Sequence, residues 1–461
     1  MARELADGVL RGLPLRGAEL GATRRMILTL AWPAVCEMFL HTFVWVADTA
    51  MVGRLGAEAI SAVGMGGEMY FSIIAALGAL GVGTTALVAR HVGAGEERPA
   101  RFAAAQGLVV ACACGVGVAL LGVVLGPWAF SLTGLGPRVQ AMGGVYLRIM
   151  CSGAGFVLAT WVINGAFRAT GDTRTPLLVT GVTNALNVLG DYALIYGHFG
   201  LPAMGVAGAA VASVIAQGIG LLIAASRLLS ERTALRPGPG WTMIPDRRAV
   251  VRLLRVSAPA GIESLLTDGA RMIGLFIVAA TGPVAFAAVP ITIAAESVSF
   301  MAGHGFAIAA GIVAGQRLGA GRPDRAYRES AVAVGLAALM MAAFGLAFIA
   351  FPAPLVRLFT TDPAVLALAA PCLRITGLFQ VSVAVADTFL GALRGAGETR
   401  VPMAITGVTA WAVRLPFCFL ALRVLGLPVP FYFWAAGLEW TAKAVLAVRA
   451  FRRGRWLKRT V

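Results

Sequence analysis

Residues 33–56, PAVCEMFLHTFVWVADTAMVGRLG, read as one bilayer-spanning helix with acids inside it. Glu37, His41 and Asp48 follow each other at spacings of four and seven, which places them roughly on one helical face among Met38, Phe39, Leu40, Phe43, Trp45 and Val46. An acidic side chain at mid-membrane costs about 2.5–3.5 kcal/mol on insertion scales, so two on one helix require a physical reason. Snorkelling from a helix end does not account for Asp48, because Pro33 and Gly56 bound the run and leave it inside. The stretch predicts a helix that lines a wet cavity and carries protons or cations. Glu37, His41 and Trp45 are the candidate cavity residues, and Pro33 is the candidate kink.

The rest of the composition agrees with a membrane setting. The chain has 461 residues, 59% apolar and only 13% charged, with mean hydropathy +0.83. Soluble domains are about 25% charged, so this is a polytopic membrane protein. The net charge of +16 comes from short basic runs between apolar stretches, without interleaved aromatics, which excludes a nucleic-acid surface. Cysteines 36, 112, 114, 151, 372 and 418 fall in apolar segments with no CxxC pair, so packing explains them better than disulfides or metal. Residues 1–25 lack an apolar core of signal-peptide type and read as a cytoplasmic tail.

With about 20 apolar residues per span, twelve spans are expected: 27–53, 59–89, 102–132, 140–167, 176–197, 203–226, 256–280, 284–316, 330–358, 364–393, 402–424 and 428–449. With the N-terminus inside, 29 of the 38 Lys and Arg fall on the cytoplasmic side and five on the other. That asymmetry puts both termini in the cytoplasm, in a plasma membrane, or the inner membrane of a diderm bacterium.

An internal repeat decides the architecture. Adding 226 to a residue number maps Pro33 onto Pro259, Glu37 onto Glu263, Gly56 onto Gly282, Arg168 onto Arg394 and Thr180 onto Thr406. The same offset maps Gly171-Asp172-Thr173-Arg174 onto Gly397-Glu398-Thr399-Arg400. Six spans per copy make a parallel repeat with its axis along the membrane normal. The expected fold is all-α, twelve transmembrane helices in two six-helix bundles related by a pseudo-two-fold axis. The bundles are 26–226 and 256–449, joined by a basic cytoplasmic linker at 227–255, with a C-terminal tail from 450 to 461. Two such bundles around a central cavity suit a rocking transporter and give a receptor or scaffold no advantage. No P-loop, GxSxG or HExxH supports an enzyme.

The copies are most informative where they disagree. Asp48 maps to Gly274, Asn184 to Ala410, Asn187 to Val413 and Asp191 to Phe417. Asn184, Asn187 and Asp191, three and four apart, form one polar stripe on the fifth span. Carboxylates with amide oxygens suit a hard cation, and a desolvated carboxylate can instead hold a proton. Glu37 and Glu263 either share a structural role or offer one substrate-facing acid per bundle. Glu296 is a further cavity candidate, and the roles of Glu68, His304 and Asp387 stay open. Asp268 with Arg271, and Glu439 with Lys443, have the spacing of ion pairs along one helix.

The pattern Pro33…Ala47-Asp48-Thr49-Ala50-Met51-Val52-Gly53-Arg54-Leu55-Gly56 resembles the first helix of the multidrug and toxic compound extrusion (MATE) family. The twin Arg-x-x-Gly-[Asp/Glu]-Thr-Arg-x-Pro loops at 168–176 and 394–402, Gly205–Ala210 and Gly315–Gly321 carry the same resemblance over about residues 25–450. It implies a twelve-helix, two-lobed antiporter that expels organic cations or amphipathic drugs in exchange for H+ or Na+, without a cofactor. The chain looks closest to the DinF-like branch, whose coupling-ion positions correspond to Asp48, Asn187 and Asp191 here; these would also be the metal ligands if the ion is Na+. A hydroxyl on the sixth helix often completes that site, and Ser213 is its candidate. Val289-Pro290 stands where the family often has His-Gln, and Asp387 lies a few positions from the helix-ten acid of the norfloxacin-efflux branch. The expected partners are small molecules and membrane lipids, with the protein a monomer. The alternative is a flippase for a lipid-linked precursor, against which the scarcity of Lys and Arg inside the spans argues.

Overall fold

The computed structural model describes residues 17–231 and 233–459. In chain order the helices are α1 Gly17–Gly53, α2 Ala57–Gly93, α3 Glu97–Ser131, α4 Pro137–Ser152, α5 Ala154–Thr170, α6 Arg174–Tyr196 and α7 Val206–Leu229. They continue as α8 Arg247–Ala279, α9 Pro283–Gly319, α10 Pro323–Ala350, the short α11 Pro352–Arg357, α12 Pro363–Gly395, α13 Arg400–Val424 and α14 Pro430–Arg452. The described residues contain no strand, as expected where lipid offers the backbone no partners.

Local chemistry sets the boundaries. Proline opens α4, α9, α10, α12 and α14, where its missing N–H costs nothing. The repeat mates Gly56 and Gly282 have φ of 108° and 116°, and Gly171 and Gly397 have 93° and 82°. Side chains rarely adopt such values, so the glycines kept by the repeat mark turns that both copies need.

Nine described helices are long and apolar enough to cross a membrane, or ten if α4 and α5 form one span. α8, with Glu263, Asp268 and Arg271, and α14, with Glu439 and Lys443, fail that test because of these charges and complete twelve crossings. Two expectations need correction. The fourth span is broken at Gly153 into α4 and α5, bent by 45°. Gly153 lies against Val214, leaving no room there for a side chain. The helix of the seventh span extends back to Arg247, so the last part of the connector is helical rather than loop. Buried Gln106 holds that connector, donating to the carbonyls of Thr242 (3.1 Å) and Ile244 (2.9 Å) and accepting from the Asp246 amide (2.9 Å).

Cys36–Gly261 forms one compact unit, and residues 17–35 with 262–459 form another. The divisions after Val35 and after Gly261 are themselves repeat mates, each two residues beyond a proline inside a helix, Pro33 in α1 and Pro259 in α8. In the first unit α2 packs on α5, α3 on α4 and α6 on α7; in the second, α12 packs on α9, α10 and α14. One close contact recurs in both: Gly165 faces the Gly81 carbonyl as Gly391 faces that of Ala307. Without side chains the backbones approach closely, as membrane helices require for dispersion contact.

Candidate functional site

The first unit brings Asp48 of α1 and Asp191 of α6 together, with their carboxyl groups within hydrogen-bonding reach of each other. Asp191 is 0% exposed. Asn187, one turn before it, donates through Nδ2 to Asp191 Oδ2 and to Ser213 Oγ of α7, each at 3.2 Å. Neither bond uses the amide oxygen. Oδ1 of Asp48 and Oδ1 of Asp191 are buried without a hydrogen-bond partner, and among the described residues neither acid is ion-paired to Lys or Arg. Two carboxylates this close repel unless a proton or a cation lies between them. The two carboxyls and the Ser213 hydroxyl are oxygens of the kind a hard cation takes, and the Asn187 amide faces them with its nitrogen.

Sequence reasoning missed Tyr146 of α4, which interacts electrostatically with both acids and is buried. The repeat offset carried the signal, since Tyr146 maps to Cys372 and is another position where the copies disagree. Tyr196 donates to the Met51 carbonyl at 2.7 Å and ties the end of α1 to α6 beside the pair.

The other candidates lie elsewhere. Asn184 donates to the Leu40 carbonyl at 2.7 Å, a helix-to-helix clamp that does not reach the acid pair. Glu37, 3% exposed, accepts from Arg168 Nη1 at 2.9 and 3.0 Å and from the Thr180 hydroxyl at 3.3 Å. Glu263, 6% exposed, accepts from Arg394 Nη2 at 2.6 Å, Arg394 Nε at 3.3 Å and the Thr406 hydroxyl at 3.0 Å. These are the same three positions in each copy, and each acid has fixed partners. His41 and Trp45 are exposed, Trp45 by 66%. Glu296 of α9 is partly buried and lies near Gln380 of α12.

In the second unit Asp387 is 2.8 Å from His304 Nδ1 and 3.7 Å from Arg394 Nη1, which extends the Glu263–Arg394 pair. The expected helical pairs form, Asp268 with Arg271 at 3.8 Å and Glu439 with Lys443 at 2.9 Å. Pro33 sits inside a continuous α1.

Comparison with known proteins gives consistent results. The MatE family model matches residues 33–193 and 259–420, one segment in each copy. A "Probable multidrug resistance protein NorM" of Thermotoga maritima is 32% identical over 448 residues, covering 96% of this chain and 95% of its own length. The "Multidrug resistance protein PmpM" of Pseudomonas aeruginosa is 30% identical, with 88% and 85% covered. Among solved structures, a MATE in complex with MaL6 superposes with TM-score 0.89 at 22% identity, covering 95% of this chain and 98% of that one. An outward-facing multidrug resistance MATE transporter gives 0.88 at 22% identity, with 97% and 100% covered. At that identity these two establish the shared fold alone. From the family match and the relatives at 30% identity or above, the chain is a multi-pass membrane protein of the MatE, or multidrug and toxic compound extrusion, family.

Proposed function

We propose that this protein is a secondary active multidrug efflux transporter, exporting organic cations or amphipathic drugs by antiport with H+ or Na+. Members of its family are transporters and not enzymes, and the names of its NorM and PmpM relatives support the drug-export reading. The observation that carries the coupling proposal is the Asp48–Asp191 contact, with its two buried, unpartnered oxygens and the adjoining Asn187–Ser213 pair. Loading the pair with a proton or sodium removes its repulsion and draws α1 toward α6; unloading it lets them part. That difference in free energy gives the ion its hold on the conformation, and alternating access of two lobes turns it into export. Ser213 supplies the neutral oxygen. Both termini are cytoplasmic in this reading, in the plasma or inner membrane, and the working unit is a monomer.

The test is export of a fluorescent cationic dye from proteoliposomes under an imposed proton or sodium gradient. One of the two gradients drives export by the wild type, and Asp48→Asn abolishes it while the protein stays folded and inserted. Export indifferent to both gradients would refute antiport, and wild-type export by Asp48→Asn would refute the site.

A further inference from the structure

The second unit has a buried polar cluster where the repeat places the counterpart of the acid pair. Asp48, Asn187, Asp191 and Ser213 map to Gly274, Val413, Phe417 and Glu439. The buried ring of Tyr432 covers Gly274, where a Cβ would meet its Cε2 at 3.2 Å. Phe417 packs on an apolar cluster that contains Tyr432, Cys418 and Cys372, the counterpart of Tyr146. Arg414, next to Val413, enters this place. Its Nη2 donates to the Tyr432 hydroxyl at 2.6 Å, its Nη1 is 3.4 Å from Glu439 Oε2, and its guanidinium carbon lies 5.1 Å from the centre of the Tyr432 ring. Lys443 Nζ takes the other oxygen of Glu439 at 2.9 Å and stands 4.1 Å over Trp440.

The backbone is adapted to this arrangement. α13 has a π-helical stretch at Thr409–Arg414, and the Leu415 N–H reaches back to the Ala410 carbonyl. Pro416, which has no N–H to donate, follows directly. α6, the repeat mate of α13, is α-helical throughout Arg174–Tyr196. α13 has a second π-helical stretch at Leu420–Val424, and π-turns inserted in α-helices are frequent at functional sites.

We propose that the second unit holds the same cation site filled from within, with the Arg414 guanidinium, backed by Lys443, standing where the first unit takes its exchangeable ion. This rests on reading Asp48 and Asp191 as the exchanging pair. The fixed charge satisfies Glu439 permanently, so only the first unit exchanges an ion. The groups that face this cluster are Arg414, the Tyr432 phenol, the Cys418 thiol, Glu439 and Lys443, with Glu296 of α9 near Arg414 and Asp387 of α12 near Lys443. None of these is exchanged for solvent ions while the guanidinium is in place.

The test is the melting temperature of the purified transporter across sodium concentration and pH. Asp48→Asn silences the first site, and the sodium- or pH-dependent shift which that site contributes is lost. In that background Arg414→Met with Lys443→Met leaves Glu439 without its cations, and the dependence returns as a shift of about 3 °C. Adding Glu439→Gln removes it again. A triple variant with no more dependence than Asp48→Asn overturns the proposal. If that variant does not fold, Arg414→Ala purified with low-millimolar guanidinium regains the wild-type melting temperature, and guanidinium no better than urea overturns the proposal. Failure of the first-site reading appears separately, as ion dependence that Asp48→Asn leaves unchanged.

Discussion

At one repeat position the first unit holds two acids facing each other, and the second holds an arginine and a lysine on a single acid. At another, both units hold the same Glu–Arg–Thr trio, Glu37–Arg168–Thr180 and Glu263–Arg394–Thr406. The contrast separates two uses of buried charge in a duplicated protein. An acid needed to hold a bundle together is kept in both copies with all its partners. An acid needed to exchange an ion is kept in one copy, without a Lys or Arg fixed beside it. A third position shows a further divergence: Trp161 packs over Gly78 in the first unit, where the second has the Asp387–His304 pair.

The sharpest way to break this comparison is Asp191→Asn, which is expected to reduce gradient-driven export to the level of empty vesicles; substantial residual export would show that the Asp48–Asp191 pair is not the exchanging one. Arg168→Ala and Arg394→Ala strand a buried carboxylate in either unit, and each should destabilise by about 3–5 kcal/mol in denaturant titration. Arg394→Ala should lose somewhat more because Arg394 also pairs with Asp387; comparable losses support the trio as structural, and a loss in one unit alone would break its equivalence. Gly78→Ala forces a methyl against Trp161 and should cost about 1–3 kcal/mol by the same measurement. Asn184→Ala, which removes only the bond to Leu40, should cost about 1 kcal/mol and leave the ion dependence of export unchanged. A changed ion dependence would bring Asn184 back into the site.

Much of this was legible in the sequence because membrane helices and exact repeats leave strong marks. A single offset located both unit-dividing prolines, the turn glycines and all six members of the trios. The assembly of the trios was not legible, because Arg168 and Arg394 count as loop charges when topology is read from basic residues. In the fold their side chains are only 17% and 20% exposed. Helical spacing put Asn184 on the face of Asn187 and Asp191 but says nothing of how an amide turns within reach of a neighbouring carbonyl. The close approach of Gly153 to Val214, 61 positions away in sequence, is something no local pattern encodes. Arg414 is one of four basic residues left inside the spans and assigned to neither side, with Arg271, Arg374 and Lys443, and nothing in the sequence marks it out. Only its contacts with Tyr432 and Glu439 give it a role.

The most direct measurement is the number of exchangeable cations bound by purified transporter, from sodium titration calorimetry together with proton release at fixed pH. The account predicts a single site per chain, lost in both Asp48→Asn and Asp191→Asn and unaffected by Glu263→Gln. Two sites in the wild type, or one that survives loss of either aspartate, would contradict it.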